Sequence, residues 1–104
     1  MNSVSPQMPE AARDERGAWF MQALRGDSDA ATRLYDACVP AIRVWLSSRV
    51  AEDIAAECAH EAMVRAFRHG RRFEPGQSFL AWLRTIAWHL ALKELRNTNA
   101  PPGA

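Results

Sequence analysis

Apolar residues recur every three or four positions along most of the chain, and no stretch of useful length alternates between apolar and polar residues. This spacing is typical of amphipathic helices and not of strands. The clearest turn signals are Gly26, Gly70 and the pair Pro75-Gly76, which divide the pattern into segments. The sequence therefore predicts an all-α fold, a compact bundle of about four helices.

Gly26 separates the first two predicted helices, because glycine commonly ends a helix. The first is expected over residues 13–24, with Phe20 and Leu24 among its inward residues. Asp27 or Ser28 then caps the second helix. Its inward stripe is predicted to contain Ala31, Leu34, Tyr35, Cys38, Ile42 and Trp45.

A proline lies inside the second helix. Pro40 removes one backbone hydrogen bond and crowds the preceding turn, so we expect a kink there and not two separate helices.

The third helix is predicted to begin near Glu52 and Asp53, whose charges suit a helix N-terminus, and to end at Gly70. Glu61 and Arg65 have the i,i+4 order that favours an ion pair. A loop over residues 71–77 follows. The inward face of the third helix is predicted to contain Ala55, Cys58, Ala59, Ala62, Met63, Ala66 and Phe67.

The fourth helix is expected to begin at Gln77 or Ser78 and to reach about Arg96. Trp88 points away from its apolar face and lies among basic and hydrogen-bonding residues. An aromatic ring in that setting is typical of a surface on which nucleic-acid bases stack. The alternative is that Trp88 packs under the N-terminal helix or the tail. The apolar face itself contains Phe79, Trp82, Leu83, Ile86, Ala87 and Leu90.

The 104 residues allow one small domain, and 48% hydrophobic residues with a net charge of +1 are typical of a globular protein. No apolar run is long enough for a bilayer, and the polar opening does not resemble a signal peptide. Cys38 and Cys58 form no CxxC pair, which favours reduced core thiols. We expect a soluble, single-domain cytoplasmic protein with a flexible leader over residues 1–12.

Charge is segregated along the chain. Residues 1–62 carry six basic and ten acidic side chains, whereas residues 63–104 carry seven basic and two acidic ones. This segregation suggests two surfaces for two partners, one of them a polyanion. A chance difference between solvated faces is the alternative.

Catalytic and metal-binding patterns find little support. His60 and Glu61 could begin an HExxH zinc-protease motif, but Val64 stands where the second histidine is required. Four converging zinc ligands cannot be assembled, and there is no glycine-rich phosphate loop. We therefore expect neither an enzyme nor a metal or cofactor site. A small metal or redox sensor using His60, Cys58 and Cys38 is the alternative.

Several blocks of sequence occur in the order and spacing of a known family. Residues 26–35 (GDSDAATRLY) resemble its "GD…A…LY" opening, and residues 55–67 (AAECAHEAMVRAF) are similar to its "AEDLVQETFLRAW" helix. Residues 72–83 (RFEPGQSFLAWL) resemble its "RFDPGRSFRAWL" stretch, and residues 86–96 resemble the segment that closes the region. Together, over residues 18–96, they resemble region 2 of extracytoplasmic-function (ECF) sigma factors.

This resemblance implies a helical domain over residues 13–96 that binds the clamp helices of the RNA polymerase β′ subunit. It also implies capture of the melted non-template strand of the −10 promoter element, a bacterial cytoplasmic location and an anti-sigma factor as a further partner. By position, the β′-binding residues are Glu57, His60, Glu61 and Arg65. The DNA-binding residues are Arg71, Arg72, Phe73, Gly76, Gln77, Ser78, Arg84, Thr85, Trp88, His89, Lys93 and Arg96.

Three positions depart from the family pattern. His60 replaces a common glutamine, Trp88 replaces an arginine, and His89 replaces the asparagine associated with base selection. We therefore expect an altered −10 sequence preference and not a loss of DNA binding.

A complete ECF sigma factor adds a second helical domain that reads the −35 element. Residues 97–104 are expected to begin the linker to it, or to form a disordered tail. The alternative function is a sigma-like interaction module that binds β′ or an anti-sigma factor without reading promoter DNA.

Overall fold

The computed structural model describes residues 14–98, and in them it contains four α-helices. They are α1 (Glu15–Leu24), α2 (Ser28–Ser47), α3 (Glu52–Arg68) and α4 (Phe79–Thr98), with a 3₁₀ helix at Gly70–Arg72 between the last two. This confirms the predicted all-α bundle, although α4 continues two residues past its predicted end. The predicted leader over residues 1–12 and the last six residues of the predicted linker lie outside the described part.

Gly26 ends α1, as predicted. Its φ is +104°, its N–H donates to the Ala23 carbonyl at 2.9 Å, and the Asp27 N–H donates to the Gln22 carbonyl at 3.1 Å. This pair of bonds is the Schellman pattern, which favours glycine at the left-handed position. Asp27 is the cap of α2, because its carboxylate accepts a hydrogen bond from the Ala30 N–H at 3.1 Å.

α2 runs unbroken through Pro40, so the proline does not divide it. The kink itself stays a prediction. The inward stripe differs from the predicted one at three positions: Ala31 and Trp45 are only half-buried, and Tyr35 is 39% exposed. Its phenol reaches the surface between α2 and α3, where the hydroxyl finds a hydrogen-bond partner, and this explains the difference at Tyr35. The buried residues of α2 are Ala30, Leu34, Cys38, Ile42 and Leu46.

Phe20 is the centre of an aromatic cluster that lies beside the connection between α3 and α4. The ring is fully buried, and its centroid lies 5.3 Å from that of Phe67, 5.5 Å from Phe73, 4.8 Å from Phe79 and 5.8 Å from Trp82. Pairs at such distances and tilts stabilise a core beyond the area that they bury. The cluster therefore attaches α1, the end of α3, the loop and the start of α4 to one another.

Small side chains determine how α4 lies in the bundle. α4 buries Phe79, Leu83, Ala87 and Ala91, which follow i,i+4 steps, whereas Trp82, Ile86 and Leu90 were predicted as core and are only half-buried. The alanines allow close approach along the buried line, so the larger residues flank the contact instead of filling it. α3 contributes its own buried small residues to the core, namely Ala55, Ala59, Ala62 and Ala66.

Asp14 connects the beginnings of two helices that are far apart in sequence. One carboxylate oxygen accepts from the Arg16 N–H at 3.1 Å and caps α1, while the other accepts from the Phe79 N–H at 2.9 Å. Phe79 is the first residue of α4, whose early N–H groups lack partners within the helix. A single partly buried carboxylate thus fixes α1 against α4.

Replacing Asp14 by alanine removes both contacts. Loss of one N-cap costs about 1 kcal/mol, and a second buried N–H also loses its acceptor, so we expect the free energy of unfolding to fall by about 2 kcal/mol. Urea denaturation followed by circular dichroism measures this. Asp36→Ala is the control, because Asp36 is an exposed acid of α2, and it should change stability by less than about 0.5 kcal/mol. Equal losses in both variants would contradict the double-cap role.

Candidate functional site

A groove of about 390 Å³ lies between the C-terminal half of α3 and the middle of α4. Its apolar part consists of the half-buried Trp82, Ile86 and Leu90. Among the described residues, none that lines this groove is acidic. A basic margin around an aromatic and aliphatic floor suits a polyanion that also carries flat, apolar groups. The margin consists of Arg65, His69, Arg72, His89, Lys93 and Arg96. We call the margin and the floor together the basic groove.

The connection between α3 and α4 has a shape fixed by its own hydrogen bonds. Gly76 has a φ of +98°, and the Gln77 N–H donates to the Glu74 carbonyl at 3.0 Å, which defines a turn with Pro75 and Gly76 at its centre. The Gln77 side-chain oxygen accepts from the Glu74 N–H at 3.1 Å. Ser78 caps α4 through its hydroxyl, which accepts from the Ala81 N–H at 3.2 Å.

Three loop residues that were predicted to bind DNA, namely Phe73, Gln77 and Ser78, are already engaged within the protein. Gln77 and Ser78 use side-chain oxygens to shape the loop. Phe73 is only 4% exposed and belongs to the aromatic core, so a ligand could reach it only at the ring edge. That edge lines a recess of about 190 Å³ together with Gly17, Gly76 and Gln77. The prediction that Phe73 and the Pro75-Gly76 turn shape a base pocket stays a prediction.

A second pocket, of about 340 Å³, lies on the α2 side of α4. Trp88 lines it but is half-buried, and its ring packs edge-on against Trp45 with centroids 6.2 Å apart. Trp88 therefore lies off the buried face of α4, as expected, but it is not freely exposed, and the aromatic ring that it contacts belongs to α2 and not to α1. The end of the tail, the other alternative, lies outside the described residues. We call this the indole pocket, and its lining is Trp45, Arg49, Arg84, Thr85, Trp88 and His89.

An acidic recess of about 230 Å³ lies next to the basic groove, between α3 and the end of α4. Glu57, Glu61 and Glu94 supply its carboxylates, and Arg65 and Lys93 line both it and the groove. The predicted Glu61–Arg65 ion pair is confirmed, with 3.5 Å between the Glu61 Oε2 and Arg65 Nε atoms.

The buried thiol at the bottom of this recess is affected by its surroundings. Burial raises the pKa of Cys58, and the negative charges of Glu94, Glu57 and Glu61 raise it further. Three carboxylates therefore lie close enough to influence one thiol, and Arg65 and Lys93 line the same recess.

His60 does not join the other predicted β′-binding residues in the acidic recess. Its Nδ1 atom lies 3.0 Å from the Tyr35 hydroxyl, and the two rings meet edge-on with centroids 5.9 Å apart. The predicted set is therefore divided between two neighbouring positions on α3, with Glu57, Glu61 and Arg65 on the α4 side and His60 on the α2 side.

The predicted DNA-binding residues are likewise divided. Arg72, Lys93 and Arg96 line the basic groove, while Arg84, Thr85 and Trp88 line the indole pocket. His89 lines both. Arg71 lies in a hollow of about 480 Å³ on the other side of the 3₁₀ helix, near Leu24 and Arg68. Leu24 was expected to point inward and is 40% exposed, because it covers Gly70 at the surface.

Among the residues at these sites that sequence reasoning missed are Tyr35, Trp45, Arg49, His69 and Glu94. Tyr35 and Trp45 had been assigned to the core by helical periodicity. His69 and Glu94 adjoin recognised positions, so their nearness in sequence was a usable signal. Arg49 had none, because only the packing of α2 against α4 brings it near Arg84.

Within residues 14–98, no group of three or more histidine, cysteine or acidic side chains could hold a metal ion. Cys38 and Cys58 are both buried free thiols, and His60 lies at the surface. The sensor alternative thus gains no support from this geometry. None of the helices in the described part is long and apolar enough to cross a membrane.

The family model for sigma-70 region 2 matches residues 34–100. The chain therefore belongs to the sigma-70 region 2 family, whose domain is a non-catalytic part of sigma factors that binds core RNA polymerase and the melted −10 element. Neither a curated protein nor a solved structure matches the chain.

The buried thiol of Cys38 makes stability depend on pH. Burial raises its pKa from an ordinary value of 9.0 to about 11. The folded state therefore favours the neutral thiol, and this contribution is complete below pH 9 and is lost as the pH rises toward 11. We expect the free energy of unfolding to fall there by up to about 1.4 kcal/mol per pH unit.

Urea denaturation at several alkaline pH values measures this dependence. Cys38→Ala is the matched variant. It should be less stable than the unchanged chain below pH 9 but show a shallower decline above pH 9, and the difference separates Cys38 from other groups that ionise in this range. Parallel curves for the two proteins would contradict the assignment.

Proposed function

We propose that this chain is region 2 of an ECF sigma factor, which acts in the bacterial cytoplasm. It binds the clamp helices of the β′ subunit and captures the melted non-template strand of the −10 element. An anti-sigma factor that covers the same surfaces is a further partner in this proposal.

The basic groove is the observation that carries the DNA part of the proposal. Arg72, Lys93 and Arg96 attract the phosphates, while the half-buried Trp82 offers an apolar surface for an unpaired base. Such a combination binds single strands with strong dependence on salt. A base received there would offset the free energy of unpairing, which is a few kcal/mol for each base.

The acidic recess and the Tyr35–His60 pair support the polymerase part. The recess lies between α3 and the end of α4, and the pair joins α3 to α2. Glu57, Glu61 and Glu94 line the recess with Arg65 and Lys93, so carboxylates outnumber cations there, whereas the groove has no acid in its lining. The hydrogen bond to Tyr35 occupies Nδ1 of His60 and leaves Nε2 for a partner. A basic helical partner would meet carboxylates on one side of α3 and an imidazole on the other.

The interaction module without promoter reading remains the second candidate, because one observation favours it. Trp88 is engaged by Trp45, and the side chains of Gln77 and Ser78 are used within the loop. Fewer free groups are therefore left for reading bases than the resemblance implied.

Neutralising Lys93 and Arg96 together tests the DNA role. The salt slope is the slope of the logarithm of the binding constant against the logarithm of the salt concentration, and each lost contact between a basic side chain and a single-stranded phosphate lowers its size by about 0.7. Lys93→Gln/Arg96→Gln should therefore lower the slope by about 1.4 and weaken binding roughly 25-fold at 0.1 M salt. Fluorescence anisotropy of labelled −10 single strands, with the protein taken to high micromolar concentration, measures both quantities.

The control is Arg25→Gln/Arg33→Gln, which removes the same charge from two exposed positions, one just after α1 and one on α2, neither of which lines the groove. Its slope should be close to that of the unchanged chain. Equal loss in the two double variants would show attraction to net charge alone. If no strand binds while a β′ clamp-helix fragment does, the interaction module is the correct function.

Replacing acids of the recess tests the polymerase role. Glu61→Gln and Glu94→Gln should each slow association with a β′ clamp-helix fragment and reduce its salt dependence, since peripheral charges act mainly on the association rate. We expect a change of about 1.5-fold to fivefold by surface plasmon resonance. Glu15→Gln on α1 is the matched control, and an effect of the same size there would argue against the recess as the contact.

A further inference from the structure

We propose that Trp45 and Arg49, at the end of α2, form with Arg84 a separate contact for a backbone phosphate of DNA. This inference rests on the proposed function. It extends the DNA-binding surface to α2, to which the family resemblance assigned no DNA-binding residue. The contact lies in the indole pocket, on the α2 side of α4, and continues the DNA path beyond the basic groove.

Two guanidinium groups lie against one indole ring there. The central guanidinium carbon of Arg49 is 4.5 Å from the Trp45 ring centroid, and that of Arg84 is 5.5 Å away. The edge of Trp88 also meets Trp45, so the ring is held from a third direction. Cation–π contacts of this kind position the arginines, because the flat guanidinium stacks on the ring.

The arrangement concentrates positive charge without compensation. In the described part of the chain, the ion pairs involve other arginines, and no carboxylate pairs with Arg49 or Arg84. The pocket lining contains no acidic residue either. Two like charges near one ring repel each other, and a bound anion would relieve this repulsion.

Arg49 also has a structural contact, which leaves most of its donors unused. One terminal nitrogen donates to the Trp45 carbonyl at 2.6 Å and to the Ser48 hydroxyl at 3.0 Å, which closes the end of α2. A guanidinium carries five N–H groups, so its other nitrogens can donate to a phosphate in the forked geometry that arginine favours.

The position on α4 identifies the anion as part of DNA. His89 lines both the basic groove and the indole pocket, so the two sites adjoin across the exposed side of α4. A strand that occupies the groove and continues over His89 reaches Arg84 and then Arg49. Thr85 adds a hydroxyl to the same wall, and Trp45 and Trp88 offer apolar surface to a deoxyribose.

The experiment compares two DNA probes bound by the whole 104-residue chain. One is a single strand limited to the −10 element, and the other is a forked DNA that extends it on both sides. Arg49→Gln should lower the salt slope for the forked DNA by about 0.9 and its affinity by about eightfold at 0.1 M salt, while affecting the short strand less. Arg84→Gln should behave in the same way for the forked DNA.

Two further variants separate charge from structure. Arg49→Lys keeps the charge, so it should retain the salt slope of the unchanged chain even if the closure of α2 is weakened. Arg33→Gln removes one charge at the other end of α2, about 24 Å along the helix axis, and should leave the slope unchanged. Thermal unfolding by circular dichroism establishes that each variant is folded.

The outcomes distinguish the two proposals. If the unchanged chain binds the forked DNA and Arg49→Gln matches Arg33→Gln in slope and affinity, the phosphate contact at Arg49 is overturned while the proposed function stands. If the unchanged chain binds neither probe, the phosphate contact and the DNA part of the proposed function both fall. A loss of salt slope shared by Arg49→Gln and Arg49→Lys would assign Arg49 to helix closure alone and also overturn the contact, because lysine keeps the charge that a phosphate contact requires.

Discussion

The packing of Phe20 against four aromatic rings is the constraint on which the rest of the domain depends. Those rings come from the end of α3, the loop and the start of α4, so one α1 side chain determines where three functional segments meet. Asp14 adds a polar bond between α1 and the first turn of α4. Because α1 fixes this junction, α1 acts on the basic groove without contributing a residue to its lining.

The two oppositely charged sites share residues, and this has consequences for binding. Arg65 and Lys93 line both the basic groove and the acidic recess, and Arg65 is ion-paired to Glu61. A cationic partner at the recess would compete with Arg65 for Glu61 and leave that guanidinium to the groove. Binding at one site would then strengthen binding at the other, and linkage requires the effect to be reciprocal.

Helical periodicity predicted the elements well, because their boundaries depend on local chemistry. Gly26, Asp27, Ser78 and the Pro75-Gly76 turn have the roles that their residue types indicate. The direction in which individual side chains point, into the core or toward the surface, was less predictable. Tyr35 and Trp88 each combine a large ring with a polar atom, and periodicity alone cannot determine which neighbour such a residue will meet. The place of Arg49 could not be predicted from the sequence for a different reason. Its side chain meets Arg84 at the Trp45 ring only because α2 and α4 lie side by side.

His89 occupies the position where affinity and sequence preference can separate. In the proposed complex the arginines and Lys93 would attract phosphates, which are the same in every sequence, and so would contribute affinity without choosing bases. His89 is exposed between the groove and the indole pocket, and its ring nitrogens can donate to or accept from a base edge. A histidine presents a different donor and acceptor pattern from an asparagine amide, which offers both on one planar group. In the proposed complex, a change at this one position would therefore alter which −10 bases are preferred, while the surrounding cations would preserve binding itself.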